Sequence, residues 1–411
     1  MAEYTDREHY IPLRKADLVE LLLRDPKLTG NERESFKQFA QLVSAVWHFE
    51  YLQTLENLKD QFAPFDPDAE TTSLKKLDPA ERAEEMEKLF GSFVKLMERA
   101  NFHRLTRKDI DDATTGGASD FGVDMHVDFD AFERLEVFAR SEGLVTRTKY
   151  HPIFFWRKIE KQVPSYRRLV LLLKLRKHKR IPETIDTNNV FLKIFKDIPK
   201  LDLEMVLPGT SLRMPWHQQA KLGGSLIGTF GWGIYSLFTK ITVAISTLVT
   251  SAATMAFDLA QFVVLAPLGI LLGYGYKQWH GYQVTRQQYA KMLVESLYYQ
   301  NLDNNMGVLT RLIDEAEEQE ARETLLAYFY LWKYAPAQGW NAEQLDEYVE
   351  MELEGKTGLK VDFEIGDALD KLVDLQLVRK ADEDRYVAEP LAKALERLDH
   401  RWDNYFQYNK A

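Results

Sequence analysis

The chain has 411 residues, 45% hydrophobic and 28% charged, with a formal net charge of −10 and no cysteine. That length suggests roughly two to four domains, and the balance excludes a collagen-like, disordered or disulfide-stapled chain. The missing cysteines also exclude thiol catalysis, thiolate zinc sites and cysteine-held iron–sulfur clusters.

Residues 1–105 read as a helical N-terminal region. Its first residues, Met-Ala-Glu-Tyr-Thr-Asp-Arg-Glu-His, lack both an apolar core and an arginine-rich amphipathic pattern, so neither a signal peptide nor a transit peptide is expected. Between 32 and 58, Phe36, Phe39, Leu42, Val43, Val46, Trp47 and Phe49 recur at helical spacing. Asp78-Pro79-Ala80-Glu81 marks a second helix start, with a capping carboxylate, proline at the first position and glutamate at the third. Leu89, Phe90, Phe93, Leu96 and Met97 supply its apolar face, while Glu81, Glu84, Glu85 and Glu87 read as its solvated side.

Residues 106–221 read as an α+β domain with antiparallel strands. Residues 123–130 alternate strictly: Val123, Met125, Val127 and Phe129 share one face, and Asp124, His126, Asp128 and Asp130 share the other. Asp124, His126 and Asp128 are the candidate metal ligands, because carboxylates and imidazole together suit a divalent cation. The competing reading is a solvated polar face, since one strand supplies little coordination geometry. Asp130 is placed as the cap of a helix over 131–141. Two buried strands follow at 169–175 and 190–196, joined by a long basic loop. Arg167, Arg168, Lys174, Arg176, Lys177, Lys179 and Arg180 are the candidates for contact with anionic lipid, weighed against plain solvent and against nucleic acid.

Residues 222–276 contain only two charges, Lys240 and Asp258. About 20 apolar residues cross a bilayer core of about 30 Å, so the run is read as a two-span transmembrane helical hairpin, near 224–246 and 254–276. Lys240 and Asp258 lie symmetrically about its midpoint and are expected to form an intramembrane ion pair. Gly224 and Gly228, Gly269 and Gly273, each pair four apart, and Gly233 on the face of Lys240 are the helix-packing candidates, because small residues let backbones approach. Basic residues flank the run and none lies in its turn, which places both termini in the cytoplasm, simplest in a bacterial inner membrane.

Residues 277–411 read as an acidic, helical, winged-helix-like domain. Helices are expected at 282–300, 306–334, 341–353 and 362–376, then a small hairpin over 377–387 with its turn at Asp382-Glu-Asp384. Residues 281–411 hold 15 Lys and Arg against 26 Asp and Glu, so the acidity of the whole chain sits here. A DNA-reading helix needs the opposite sign from one carrying Asp362, Glu364, Asp367, Asp370 and Asp374 against a single Lys371. A protein partner is expected at this domain, and no nucleic acid.

Three stretches carry a resemblance. They are Tyr10-Ile-Pro-Leu-Arg-Lys-Ala-Asp-Leu18, then Val190-Phe-Leu-Lys-Ile-Phe-Lys-Asp-Ile-Pro-Lys-Leu-Asp-Leu-Glu-Met205 with Leu207-Pro-Gly209, and Tyr282-Gln-Val-Thr-Arg-Gln-Gln-Tyr289 leading to Tyr298-Tyr-Gln-Asn-Leu302. Together they resemble the transmembrane protein 143-like family of unknown function (domain of unknown function 3754). The resemblance implies a membrane location and no established activity, and it brings no catalytic residues.

No Walker A sequence, G-x-S-x-G, H-E-x-x-H or strand-to-helix G-x-G-x-x-G is present. The expectation is therefore an α+β, mostly helical integral membrane protein, anchored as a homo-oligomeric, non-enzymatic scaffold that needs no cofactor. The alternatives are an oligomeric channel or transporter using Lys240 and Asp258, and a metal-dependent hydrolase using Asp124, His126 and Asp128. The partners expected are the lipid bilayer, further copies of the chain, and a protein at the C-terminal domain.

Overall fold

The structure, a computed structural model, describes residues 7–71, 74, 77–115, 124–150, 158–213, 297–363, 365–381 and 384–406, with isolated positions between 239 and 294. The chain divides into two compact units. The first gathers residues 1–108, 130–199 and 301–411, and the second 109–129 and 200–300.

In the first unit, helices α1 (Lys15–Leu23), α2 (Gly30–Phe62) and α3 (Pro79–Arg99) come first. Two of the starts are fixed by reciprocal caps. Thr29 Oγ1 accepts from the Glu32 amide at 3.3 Å while the Glu32 carboxylate accepts from the Thr29 amide at 2.9 Å. Asp78 Oδ1 takes the Ala80 and Glu81 amides at 2.9 and 2.8 Å, satisfying donors that have no partner inside the helix. Helix α4 (Arg107–Thr115) runs from the first unit into the second.

A five-stranded antiparallel sheet follows, built from β1 (His103–Arg104), β3 (Phe132–Tyr150), β4 (Lys158–Leu175), β5 (Val190–Pro199) and β7 (Asn301–Asn304), in the order β1-β3-β4-β5-β7. Residues 169–173 of β4 are all buried, which is why they read as an unbroken apolar run rather than an alternating one. Phe138, Val170, Leu172, Leu192 and Ile194 enter a core shared with α2, α3 and α5 (Met306–Lys333).

The helix expected over 131–141 is corrected to the start of β3. Val137, Phe138 and Ala139 stand in register with Leu171, Val170 and Leu169, and pairing with that strand outweighs the helix propensity of Ala131-Phe-Glu-Arg-Leu-Glu136.

Helix α5 runs through the middle of this unit, and every residue from Gln319 to Leu331 is buried. After it come α6 (Ala342–Thr357), α7 (Ile365–Asp374), the hairpin β8 (Val378–Lys380) and β9 (Tyr386–Ala388), and α8 (Leu391–Asp403). Trp340, between α5 and α6, pairs antiparallel with Tyr386 of β9, its amide donating at 3.2 Å and its carbonyl accepting at 2.7 Å. Gly339 makes that approach feasible, because a Cβ there would collide with the Tyr386 carbonyl.

In the second unit the described regular elements past α4 are few. Strand β2 (Asp124–His126) pairs antiparallel with β6 (Ser211–Arg213), and a 3₁₀ stretch covers Lys200–Val206. Of the alternating strand expected over 123–130, the described part is Asp124–His126, and a 3₁₀ turn at Phe129–Ala131 ends the alternation.

The integral-membrane architecture is also corrected. Among the described residues no helix is long and apolar enough to cross a membrane, so the two-span hairpin, the membrane and transmembrane assignment and the bacterial inner-membrane location do not stand. The long described helices fail on apolarity rather than length: α2 has 33 residues but carries Glu32, Arg33, Glu34 and Lys37 in its first turns, and α5 has 28 but carries Glu315, Glu317, Glu318, Glu320, Arg322 and Glu323. The expected span limits themselves fall on residues outside those described, Thr239, Gly273 and Tyr276 apart.

Candidate functional site

Among the described residues, a concentration of buried ionisable groups lies where α2, α3, α5 and α7 meet. Glu320 and Glu323 stand one turn apart on α5 and are fully buried or nearly so, at 0% and 2% exposure. Carboxylates are costly to bury unless their charge and their lone pairs are answered. Here each oxygen has an answer. Glu320 Oε1 accepts from the Tyr51 hydroxyl of α2 at 2.9 Å and from Arg99 Nε at the end of α3 at 3.2 Å. Its other oxygen pairs with the Lys371 ammonium of α7. Glu323 accepts from Gln319 Nε2 at 2.7 Å, from Asn101 Nδ2 at 3.2 Å and from Lys371 Nζ at 3.2 Å.

Lys371 is the hub. It pairs with Glu320, Glu323 and, one turn back on its own helix, Asp367. The three carboxylates bring one oxygen each to within 4.8 Å of one another, a spacing a metal ion could use. The lysine takes the cation's part instead. Burial works against the Lys371 ammonium, but Glu323, Glu320 and Asp367 together hold its pKa above the ordinary lysine value. Burial pushes Glu323 up to about 7, against the pull of Lys371 and with the help of the Glu320 charge. Burial and then Glu320 also raise the Tyr51 phenol above its usual range. At neutral pH the cluster therefore holds one carboxyl able to exchange a proton and no side chain free to act as a nucleophile.

A second buried cation fixes the segment leading into α1. Arg322 donates to the carbonyls of Ile11 and Leu13 at 2.7 and 2.8 Å and to the Tyr10 hydroxyl at 3.3 Å. That clamp gives Tyr10-Ile-Pro-Leu13, one of the stretches carrying the resemblance, a structural reason. Arg140, reaching from β3, pairs with Glu315 and lies over the Tyr10 and Phe102 rings at 4.1 and 4.4 Å.

Comparison with known families adds one finding. Residues 166–307 are a DUF3754 domain, described as a protein of unknown function. The narrower label, transmembrane protein 143-like, is not carried by that match. The DUF3754 domain includes most of β4, all of β5 and the first residues of α5; the Glu320–Lys371 cluster lies beyond it. No solved structure matches the chain.

The residues singled out from sequence fare differently. Lys240, Asp258, Gly224, Gly228, Gly233 and Gly269 lie outside the described residues. Gly273 is helical and exposed, and a Cβ built there meets nothing within 4 Å among the described residues. For Asp124 and His126 only the strand backbone is described, opposite Arg213 and Ser211; Asp128 is half-buried just past the strand. The basic set splits in two. Lys174 pairs with Glu133 at 3.5 Å, Arg167 with Glu8 at 3.7 Å and Arg168 with Glu315 at 4.0 Å. Arg176, Lys177 and Lys179 stand exposed on the β4–β5 loop, with Arg180 half-buried beside them.

Glu320 and Glu323 escaped the reading of the sequence because their helix looks merely acidic. The available signal was the lone Lys371 amid the carboxylates of 362–374, together with the apolar run that starts at Leu325, two residues after Glu323.

Proposed function

We propose that this chain is a non-enzymatic interaction protein, a scaffold whose C-terminal module presents an acidic helix to a basic protein surface. The elements from α5 to β9, with Trp340 bridging to β9, follow the order of a winged helix, in which the helix before the hairpin is the one that meets a partner. In this chain that helix is α7. Its exposed face carries Asp367, Asp370 and Asp374, with Gly366 and Val373 between them.

The observation that carries the reading is the direction of Lys371. The one cation of α7 is turned toward the core, shared among Glu320, Glu323 and Asp367, and Arg401 of α8 stands beside Asp374, so the outward face of α7 stays predominantly acidic. Phosphate would be repelled by such a surface, and a lysine- or arginine-rich protein segment attracted. Self-association fits the same surface if the basic segment belongs to another copy.

The test is fluorescence anisotropy of the full chain with a labelled lysine- and arginine-rich peptide and with labelled duplex DNA, at low salt. Peptide binding that weakens with salt and falls at least tenfold in Asp370→Asn/Asp374→Asn is expected, with no DNA binding. Tight DNA binding, or peptide binding indifferent to the double substitution, would sink the reading.

A further inference from the structure

The 14 residues between β4 and β5 form a built loop rather than a slack one. Ile181 is buried at 7% exposure and pins the loop to the unit. Short turns close on the backbone: the Ile181 amide donates to the His178 carbonyl at 2.9 Å and the Ile185 amide to the Pro182 carbonyl at 3.0 Å. Asp186 Oδ1 accepts from the Asn188 amide at 2.9 Å, and Arg82 of α3 holds the Asn188 carbonyl at 3.0 Å. Inside these turns lies a cavity of about 770 Å³, within the range of roughly 300–1,000 Å³ typical of small-molecule sites.

Its lining is chemically specific. Lys177, His178 and Lys179 stand on one limb, and Thr184, Thr187 and Asn188 on the other, with Ile181, Pro182 and Ile185 as the apolar part. Lys177 and Lys179 are exposed, and among the described residues neither enters an ion pair. Glu183 and Asp186 also line the cavity, Asp186 accepting from the Asn188 amide, and among the described residues neither carboxylate pairs with Lys177 or Lys179. Two unanswered ammonium groups with hydroxyl and amide donors opposite suit a doubly charged, multiply accepting anion better than a carboxylate. The volume far exceeds that of an inorganic ion, and the apolar residues give the rest of such a molecule a place.

We propose that this cavity binds a phosphoryl group carried on an organic body, with Lys177 and Lys179 supplying charge and Thr184, Thr187 and Asn188 supplying hydrogen bonds. A soluble phosphate ester and a phospholipid headgroup offer the same chemistry, and the experiment separates them. The full chain is titrated calorimetrically with phenyl phosphate, and its co-sedimentation is measured with phosphatidylserine/phosphatidylcholine vesicles and with vesicles of phosphatidylcholine alone. Lys177→Gln/Lys179→Gln and Thr187→Val are measured beside it, with circular dichroism to check the fold.

Phenyl phosphate binding that falls at least tenfold in the lysine double variant and severalfold in Thr187→Val supports a soluble ester. Binding to phosphatidylserine vesicles alone, lost in the same variants, supports a headgroup. Absence of binding to either probe overturns the proposal. So does binding that the variants leave unchanged, and so does vesicle binding that the lysine variant lowers but Thr187→Val does not, since a bare charged surface would behave that way.

Discussion

The α5–α7 cluster and the β4–β5 loop both concentrate ionisable side chains, yet they handle charge in opposite ways. Around Glu320 and Glu323 every charge is answered within the protein by Lys371, Arg99, Tyr51, Gln319 or Asn101. On the loop Lys177 and Lys179 are left to solvent at the rim of a cavity. A network closed on itself specifies how helices meet; charges left open are available to something else. The difference teaches that a density of charged residues does not by itself mark a binding site, whereas the presence or absence of internal partners separates structural charge from available charge.

The largest effect that bears on this comparison should come from Lys371→Ala. Removing the hub leaves two carboxylates inside the core with one counter-charge fewer, and breaking a buried pair costs about 3–5 kcal/mol. Urea denaturation should show the midpoint falling accordingly, with α7 losing its fixed place. A loss under about 1 kcal/mol would mean that the cluster is hydrated and that closure is the wrong description.

A titration should show the next effect. Glu323 has its folded pKa raised to about 7, above the ordinary 4.5, so the folded state holds this proton more tightly than the unfolded chain. Its contribution is therefore complete below about pH 4.5 and is lost as pH rises toward 7. Asp346, pushed up to about 7 by burial and by Glu350, Asp362 and Glu347 around it, acts in the same direction. Glu32 acts in the opposite one: bonds from Lys333 and from the Thr29 amide hold it down to about 2, so its contribution is lost as pH falls below about 4.5. Stability should thus peak between these limits, near pH 4–5, and Glu323→Gln should flatten the limb above the peak by about 1–3 kcal/mol. A variant whose alkaline limb matches that of the parent would detach Glu323 from the pH dependence.

How much of this was legible depended on the range of the interaction. The Asp78 cap could be read directly, because its partners lie two and three residues away. The runs 169–175 and 190–196, found within β4 and β5, were legible from β-branched and leucine-rich continuity. Residues 131–141 were not, because Phe132, Leu135 and Phe138 satisfy a helical period, and only the register with β4 decides for a strand. Glu320 and Lys371 are 51 positions apart in sequence, and no local pattern announces that they touch. The run 222–276 falls almost wholly outside the described residues, so its freedom from charge is read from the sequence alone.

The smallest effect should come from the loop, where its smallness is informative. In Lys177→Gln/Lys179→Gln two exposed charges disappear without any internal ion pair being broken among the described residues. Surface changes of that kind stay within about 0.5 kcal/mol, so the urea midpoint measured without phosphate should barely move. Like charges two residues apart repel weakly in water, which makes a slight stabilisation the expected sign, screened away as salt is raised. A loss above about 1 kcal/mol would show that the lysines are tied into the fold after all. In that case the contrast with the Glu320–Lys371 cluster would collapse, because both regions would then be using their charge to hold the structure together.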